Sequence, residues 1–391
     1  MRSTMKDFTY LPLFAEREEA VEDALRQSRS CLPGFFEACK YTHSEHGFYA
    51  KSENVEWTTG FWVGELNLAY ELSHESCFFD AAKAHIPSFL DRIVRKVDVE
   101  HHDMGFLYSP SCVAFYQLCG DKDARKASLL AADNLVSRFQ ERGQFIQAWG
   151  PMGEAGNYRL IIDCLLNLPL LFWASRETGE PRYEDIARRH LHTALACVLR
   201  ADNSTYHTYF FDPQTGKPVY GRTAQGYRDG SAWARGQAWG VYGSAVAYRY
   251  LHDDRSMEVF ERTLSFFLDH LPPSIIPYWD FDFTDGSAEP RDSSALAIVV
   301  CGMLEMAEHG EGQRWKTYLS QTAERLTRVL WKECAVKDPA FSNGQLLHGT
   351  YAKKSPYNTV RDRGVDECNL WGDYYYVEAL RRLAGGWESC W

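Results

Sequence analysis

The chain has 391 residues, 45% of them apolar and 24% charged; this is room for one large domain or two to three small ones, and too apolar for global disorder. Forty-two basic against 53 acidic side chains leave a net charge of −11, which argues against a nucleic-acid partner but not against a local cationic pocket for a small anion. Aromatic residues reach 14%, with 12 Trp, 22 Tyr and 22 Phe; part of this is core, but flat aromatic faces also line sugar-binding clefts.

At the N-terminus, Met1-Arg-Ser-Thr-Met-Lys-Asp lacks the apolar run of a signal peptide. The most apolar stretch, residues 160–174, is interrupted by Asp163, Asn167 and Pro169, so no membrane partner is expected. Eleven cysteines, an odd number without a CxxC pair, predict reduced and mostly buried thiols in a cytoplasmic protein. Their spacing supplies no zinc site.

Along the chain, period-3.6 patterning dominates and alternating runs are few. Six segments open on glycine or a polar residue, run through small and apolar residues, and close in a charged or glycine-containing turn. They begin at Gly60, Gly105, Asn157, Trp233, Asp292 and Asn369. Between them lie amphipathic, charge-bearing stretches over residues 79–97, 122–140, 183–199, 256–270 and 313–331. A helix that is apolar all round is buried, whereas a striped one covers it. The alternation therefore predicts an all-α fold of six inner helices ringed by six outer ones, an (α/α)6 barrel. One domain over residues 1–391 is expected, with 1–40 supplying an N-terminal segment and the first outer helix. An open solenoid of helical hairpins would alternate similarly, but the unequal spacing and long insertions favour the closed ring. Inner helices of such a barrel start at one end, around a hollow. The irregular segments 101–111, 143–157, 206–231 and 338–368 are expected there.

Candidate chemistry centres on two aspartates. If Gly156-Asn157 starts a helix with Asn157 as its cap, Asp163 lies beyond the first turn, among Leu160, Ile161, Ile162, Cys164, Leu165 and Leu166. Burial there raises a carboxyl pKa and holds a proton near neutral pH, as a general acid requires. The alternatives are an Asp bonded to Asn167 or to a neighbouring helix, or one on a polar stripe. Asp103, in His101-His102-Asp103-Met-Gly-Phe, reads alone as a cap or loop residue; across a cavity from Asp163 it completes the pair of carboxyls that glycosidases use. Arg235 and Trp239 share a helix face at i, i+4, where the guanidinium either grips a ligand carboxylate or ties helices together. Trp57, Trp62, Trp149 and Trp233 are either sugar-stacking or core. His207 and Gln225 lie in the longest loop, where isolated residues are more often structural.

Taken together, Trp57-Thr-Thr-Gly-Phe-Trp, His102-Asp103-Met-Gly-Phe, Ile162-Asp163-Cys-Leu-Leu-Asn, Trp233-Ala-Arg-Gly-Gln-Ala-Trp and Trp371-Gly-Asp-Tyr-Tyr-Tyr-Val-Glu-Ala-Leu resemble the unsaturated glucuronyl hydrolases of glycoside hydrolase family 88, in order and over residues 41–380. The resemblance implies an (α/α)6 barrel and a metal-free enzyme; no cofactor is expected, and the sequence leaves monomer and homodimer both open. It implies removal of a 4,5-unsaturated uronic acid from the non-reducing end of oligosaccharides that polysaccharide lyases leave. Asp163 falls on the family's general acid/base and Asp103 on its assisting carboxylate. Trp57, His102, Trp149, His207, Gln225, Arg235, Trp239 and Tyr351 fall on substrate-contacting positions. Relatives acting on sulfated substrates carry a Ser/Lys-bearing loop near the C-terminal part of the barrel. Here that region reads His348-Gly-Thr-Tyr-Ala-Lys-Lys-Ser-Pro-Tyr, with Lys353, Lys354 and Ser355 available to a sulfate; its spacing departs from theirs, and Lys353-Lys354 reads first as a solvated loop. The competing expectations are an unsaturated rhamnogalacturonyl hydrolase of family 105, a sugar epimerase or isomerase using paired histidines, and a non-catalytic helical scaffold.

Overall fold

A computed structural model describes residues 5–358 and 360–391. Residues 1–4 of the expected N-terminal segment, and Thr359 within the expected 338–368 loop, lie outside the described residues.

Outer helices are α1 (Arg17–Phe35), α3 (Ser76–Arg95), α6 (Lys122–Val136), α8 (Pro181–Cys197), α10 (Asp254–Asp269) and α12 (Gln313–Glu333). Their sequences are striped: α10 buries Val259, Phe260, Thr263, Leu264 and Phe267 at helical spacing and leaves charges outside. Inner segments are α2 (Thr59–Ser73), α4 and α5 (Met104–Tyr108, Ala114–Cys119) joined by a π-turn, α7 (Pro169–Thr178) with its 3-10 lead-in, α9 (Ala234–Leu251), α11 (Ser293–His309) and α13 (Leu370–Ala384). These are apolar all round; in α9 every residue from Ala234 to Tyr248 is buried. Each inner segment touches the next, and α13 returns to α2, so the ring closes. The expected (α/α)6 barrel is what the chain forms.

The connections are strongly unequal. Inner helices pass to outer ones in two or three residues, with left-handed His74, Gly120, Gly179 and His252 ending four of them in tight turns. Every long connection runs from an outer to an inner helix, and all of these gather at the end where inner helices begin. They carry four antiparallel units: β1 (Cys39–Glu45) with β2 (Phe48–Ser52), β3 (Phe139–Gln140) with β4 (Phe145–Ile146), β5 (Arg159–Ile161) with β6 (Thr208–Phe211) and β7 (Pro218–Arg222), and β8 (Gly349–Ala352) with β9 (Arg363–Glu367).

Two local expectations are corrected. Asn157 does not cap an inner helix: Ala155–Asn157 is one 3-10 turn, Arg159–Ile161 is strand β5, and Ile162–Leu166 is a 3-10 turn leading to α7. The run of Leu and Ile pairs with β6 instead of coiling, and Pro169 at the first position of α7 sets where the α-helix starts. Segment 101–111 is mostly helical, not irregular. Pro110 lacks an N–H and interrupts the helix there, giving the π-turn Ser109–Val113.

Among the described residues no helix is long and apolar enough to cross a membrane. All eleven cysteines are free; eight are buried, Cys77 and Cys197 are half-buried, and Cys119 is exposed rather than packed among its apolar neighbours.

Candidate active site

The loop end of the barrel encloses a cavity of about 310 Å³. A larger hollow of about 580 Å³, between α1, α2 and α13, is lined by Val21, Leu72, Leu380 and Leu383 with Arg17, Glu18 and Glu22, and brings together none of the candidate residues. The smaller cavity brings together nine of the ten: Trp57, His102, Asp103, Trp149, Asp163, Gln225, Arg235, Trp239 and Tyr351. His207 is the exception. It is buried, with its ring edge-on to Trp233 at 4.7 Å, so it backs a lining residue instead of lining the cavity itself. Trp62 is also core: it is fully buried, and its Nε1 donates to the Phe35 carbonyl.

Close helix contact sets the distance between the two aspartates. Gly105 sits against Asn167, where any Cβ would overlap the Asn167 backbone, so α4 and the turn bearing Asp163 come into direct contact. Asn167 bonds both sides of that contact, accepting from the Phe106 N–H at 2.9 Å and donating to the Asp163 carbonyl at 3.3 Å. This is the Asp163–Asn167 link weighed from the sequence, made through the backbone oxygen and not the carboxyl. The carboxyl Oδ1 of Asp163 is buried with no hydrogen-bond partner, while its side chain keeps 19% exposure towards the cavity.

His102 Nε2 lies 3.3 Å from Asp163 Oδ1 and 3.4 Å from Asp103 Oδ1, and its buried Nδ1 has no partner. Burial pushes His102 down to about 4, so the ring is neutral near pH 7. With Nδ1 unpartnered, the proton is assigned to Nε2, facing the carboxyls. Burial, then the like charge of Asp103, raises Asp163 well above the usual carboxylate range, and the Arg235 charge offsets only part of this. Burial also raises Asp103, but His102, the contact with His101 Nδ1 at 3.1 Å and a bond from Asn167 outweigh it and hold Asp103 net below its ordinary value. Two neighbouring carboxyls are thus driven apart, one kept protonated and one kept charged, which is how an acid and its partner are told apart.

Arg235 is 2% exposed and tightly held. Its Nη1 donates to the Thr350 carbonyl (2.6 Å) and approaches Asp292 Oδ2 (3.3 Å), while Nη2 donates to the Tyr351 carbonyl (2.7 Å) and reaches Gln225 Oε1 at 3.5 Å. The guanidinium packs over Trp233 and Trp371 at 4.5 and 4.7 Å. It therefore both ties α9 to β8 and places a positive charge on the cavity wall. Trp57 stacks on Trp371 (5.3 Å, 21°) and donates to the Tyr351 hydroxyl, and Phe106 packs between Trp57 and Trp239 to form an aromatic floor.

Residues 36–282 match the model of Glycosyl Hydrolase Family 88. The chain belongs to this family. An unsaturated chondroitin disaccharide hydrolase of Streptococcus pneumoniae is 45% identical over 98% of this chain and 96% of its own length. The crystal structure of an unsaturated glucuronyl hydrolase from Streptococcus agalactiae superposes with a TM-score of 0.94 at 42% identity, covering 100% of this chain and 98% of that one. A variant of the latter, complexed with dGlcA-GalNAc6S, matches at TM-score 0.86 and 38% identity with the same coverage.

Within this family 88 chain, three site residues carried no expected role in the cavity: His101, which contacts Asp103, and Trp371 and Asp292, which hold Trp57 and Arg235; Asn167, expected beside Asp163, also bonds Asp103. His101 neighbours the motif and could have been flagged; Asp292 and Trp371 are brought in only by folding. Lys353 pairs with Asp362 at 3.0 Å and Ser355 is buried, and neither lines the cavity. Because Asp292 is fully buried against Arg235, Arg235→Ala strands a carboxylate. We expect a loss of about 3 kcal/mol of unfolding free energy in urea titration. Ligating atoms of His102, Asp103 and Asp163 lie within 4.8 Å of one another, near enough to hold a cation. The metal-free expectation has a direct check: dialysis against a chelator should leave turnover unchanged, and a loss restored by one divalent metal would overturn it.

Proposed function

We propose that this family 88 hydrolase removes a 4,5-unsaturated uronic acid from the non-reducing end of lyase-generated glycosaminoglycan fragments by hydrating the sugar's C4=C5 bond, with Asp163 as acid and then base and Asp103 as its assisting carboxylate. The observation that carries this is the buried, unpartnered Oδ1 of Asp163, in a tryptophan-lined cavity where burial and the charge of Asp103 favour its protonated form.

The substrate's double bond is a vinyl ether. A proton from Asp163 adds at C4, and the resulting positive charge is shared between C5 and the ring oxygen. Water adds to C5 and gives its proton to the Asp163 carboxylate, which restores the acid. The hemiketal at C5 opens, and the aglycone leaves from C1 without direct displacement there. The carboxyl-separation rule of ordinary glycosidases therefore does not apply. Trp57 and Trp239 supply the faces that orient the ring for this transfer. The substrate carboxylate, placed near Arg235, would cancel the one charge that lowers Asp163, so binding itself strengthens the hold on the proton.

Because the double bond absorbs at the edge of the ultraviolet, turnover is read as bleaching. The chain is expected to bleach an unsaturated chondroitin disaccharide and to leave an unsaturated rhamnogalacturonan disaccharide nearly untouched. The reverse order would reassign it to pectin fragments.

A further inference from the structure

Beside the cavity, the β5–β6–β7 sheet carries a row of side chains that the hydration chemistry does not use. In its antiparallel register Arg159 stands opposite Phe210, and Phe210 opposite Tyr220, so the three side chains share one face. The Phe210 and Tyr220 rings stack at 4.8 Å and 22°. The Arg159 guanidinium lies 5.1 Å from the Phe210 centroid and 4.7 Å from that of Trp149, which lines the cavity. The row thus leads outward from the cavity rim, and it is open to solvent at Trp149 (39% exposed) and Tyr220 (46%).

Arg159 is the unusual member. Its Nε is buried without a hydrogen-bond partner, and among the described residues it is the one arginine left so. Arg92 and Arg235, by contrast, are satisfied by carbonyl and side-chain oxygens. Leaving a buried cationic donor unpaired is costly, and aromatic faces relieve only part of that cost. A guanidinium held between two rings next to a sugar site presents its donor edge to an oxyanion, while the rings cover the apolar face of a pyranose.

We propose that Trp149, Arg159, Phe210 and Tyr220 form an outer saccharide subsite in which Arg159 receives an anionic group, sulfate ester or carboxylate, from the sugars on the leaving side of the cleaved linkage. This rests on the function proposed above and assigns charge recognition to this sheet, away from the Lys353–Lys354 loop.

The test compares kcat/KM of the wild type, Arg159→Gln and Arg159→Lys on three substrates at low salt. These are the unsulfated unsaturated chondroitin disaccharide, its sulfated counterparts, and the unsulfated tetrasaccharide, whose second uronate adds a carboxylate. Arg159→Gln is expected to keep the unsulfated disaccharide within about twofold. It should lose roughly tenfold, mainly through KM, on the sulfated disaccharides if sulfate is the ligand, or on the tetrasaccharide if carboxylate is. Arg159→Lys should recover part of that loss, and the difference should shrink at high salt. An equal loss on all three substrates, or none on any, overturns the proposal. A wild type that bleaches none of them defeats the underlying function instead, so the two failures are distinct.

Discussion

Asp163→Asn is expected to lower kcat by about 10³-fold or more at every pH, while the variant melts at a higher temperature than the wild type under alkaline conditions. The activity half follows from the proton: an amide of the same shape has none to deliver to C4 and cannot take one from water. The stability half follows from linkage. A carboxyl raised by burial binds its proton in the folded chain at pH values where the unfolded chain has released it. The folded state then holds more protons than the unfolded one, so this group's contribution to stability falls as pH climbs past the ordinary carboxylate value of about 4. Asparagine does not titrate. Because Oδ1 has no hydrogen-bond partner to lose, the melting gap in favour of Asp163→Asn should be near zero at pH 4 and widen towards pH 8. Thermal melts at three pH values together with the bleaching assay check both halves. Activity above about a hundredth of wild type would end the acid/base assignment, and a melting temperature below wild type at pH 8 would end the claim that the interior disfavours the charge.

Much of the architecture was legible because it depends on one repeated contrast. Segments such as Trp233 to Tyr248 are apolar on all sides and must be buried, whereas stretches such as 313–331 are striped and must cover them. That contrast is local to each segment, so it can be read in one pass. Asp163, Asp103 and the tryptophans around them were likewise marked by residue type and position. The local conformation at Asp163 was not, because strand β5 is stabilised by β6, whose Thr208 stands opposite Ile161 from far along the chain. The same holds for Arg235, whose acceptors at Thr350 and Tyr351 lie 115 and 116 residues away. His207 faces Trp233 and not the hollow, a choice made by packing. Arg159 attracted no notice because an arginine in the first turn of an expected helix is ordinary; only the cross-strand rings and the missing acceptor make it unusual.

Asp103→Asn should separate the two causes that raise Asp163. Burial acts on Asp163 whatever its neighbours are, but the second contribution is the negative charge of Asp103. Asparagine removes that charge and leaves the cavity's shape in place, so the Asp163 pKa moves down. The proton donor is then lost at lower pH, and the alkaline limb of the kcat profile shifts towards acid. His102 acts in the same direction, since an Nε2–H no longer shared with a charged Asp103 is free to favour ionised Asp163 at 3.3 Å. At pH 7 a loss of about 10²-fold is expected, smaller near pH 5 and larger near pH 8. The acidic limb of the wild type, where Asp103 itself takes up a proton below the usual carboxylate range, should vanish in the variant. If the loss proves equal at all pH values and the alkaline limb stays put, Asp103 serves only to hold the sugar, and burial alone keeps the proton on Asp163.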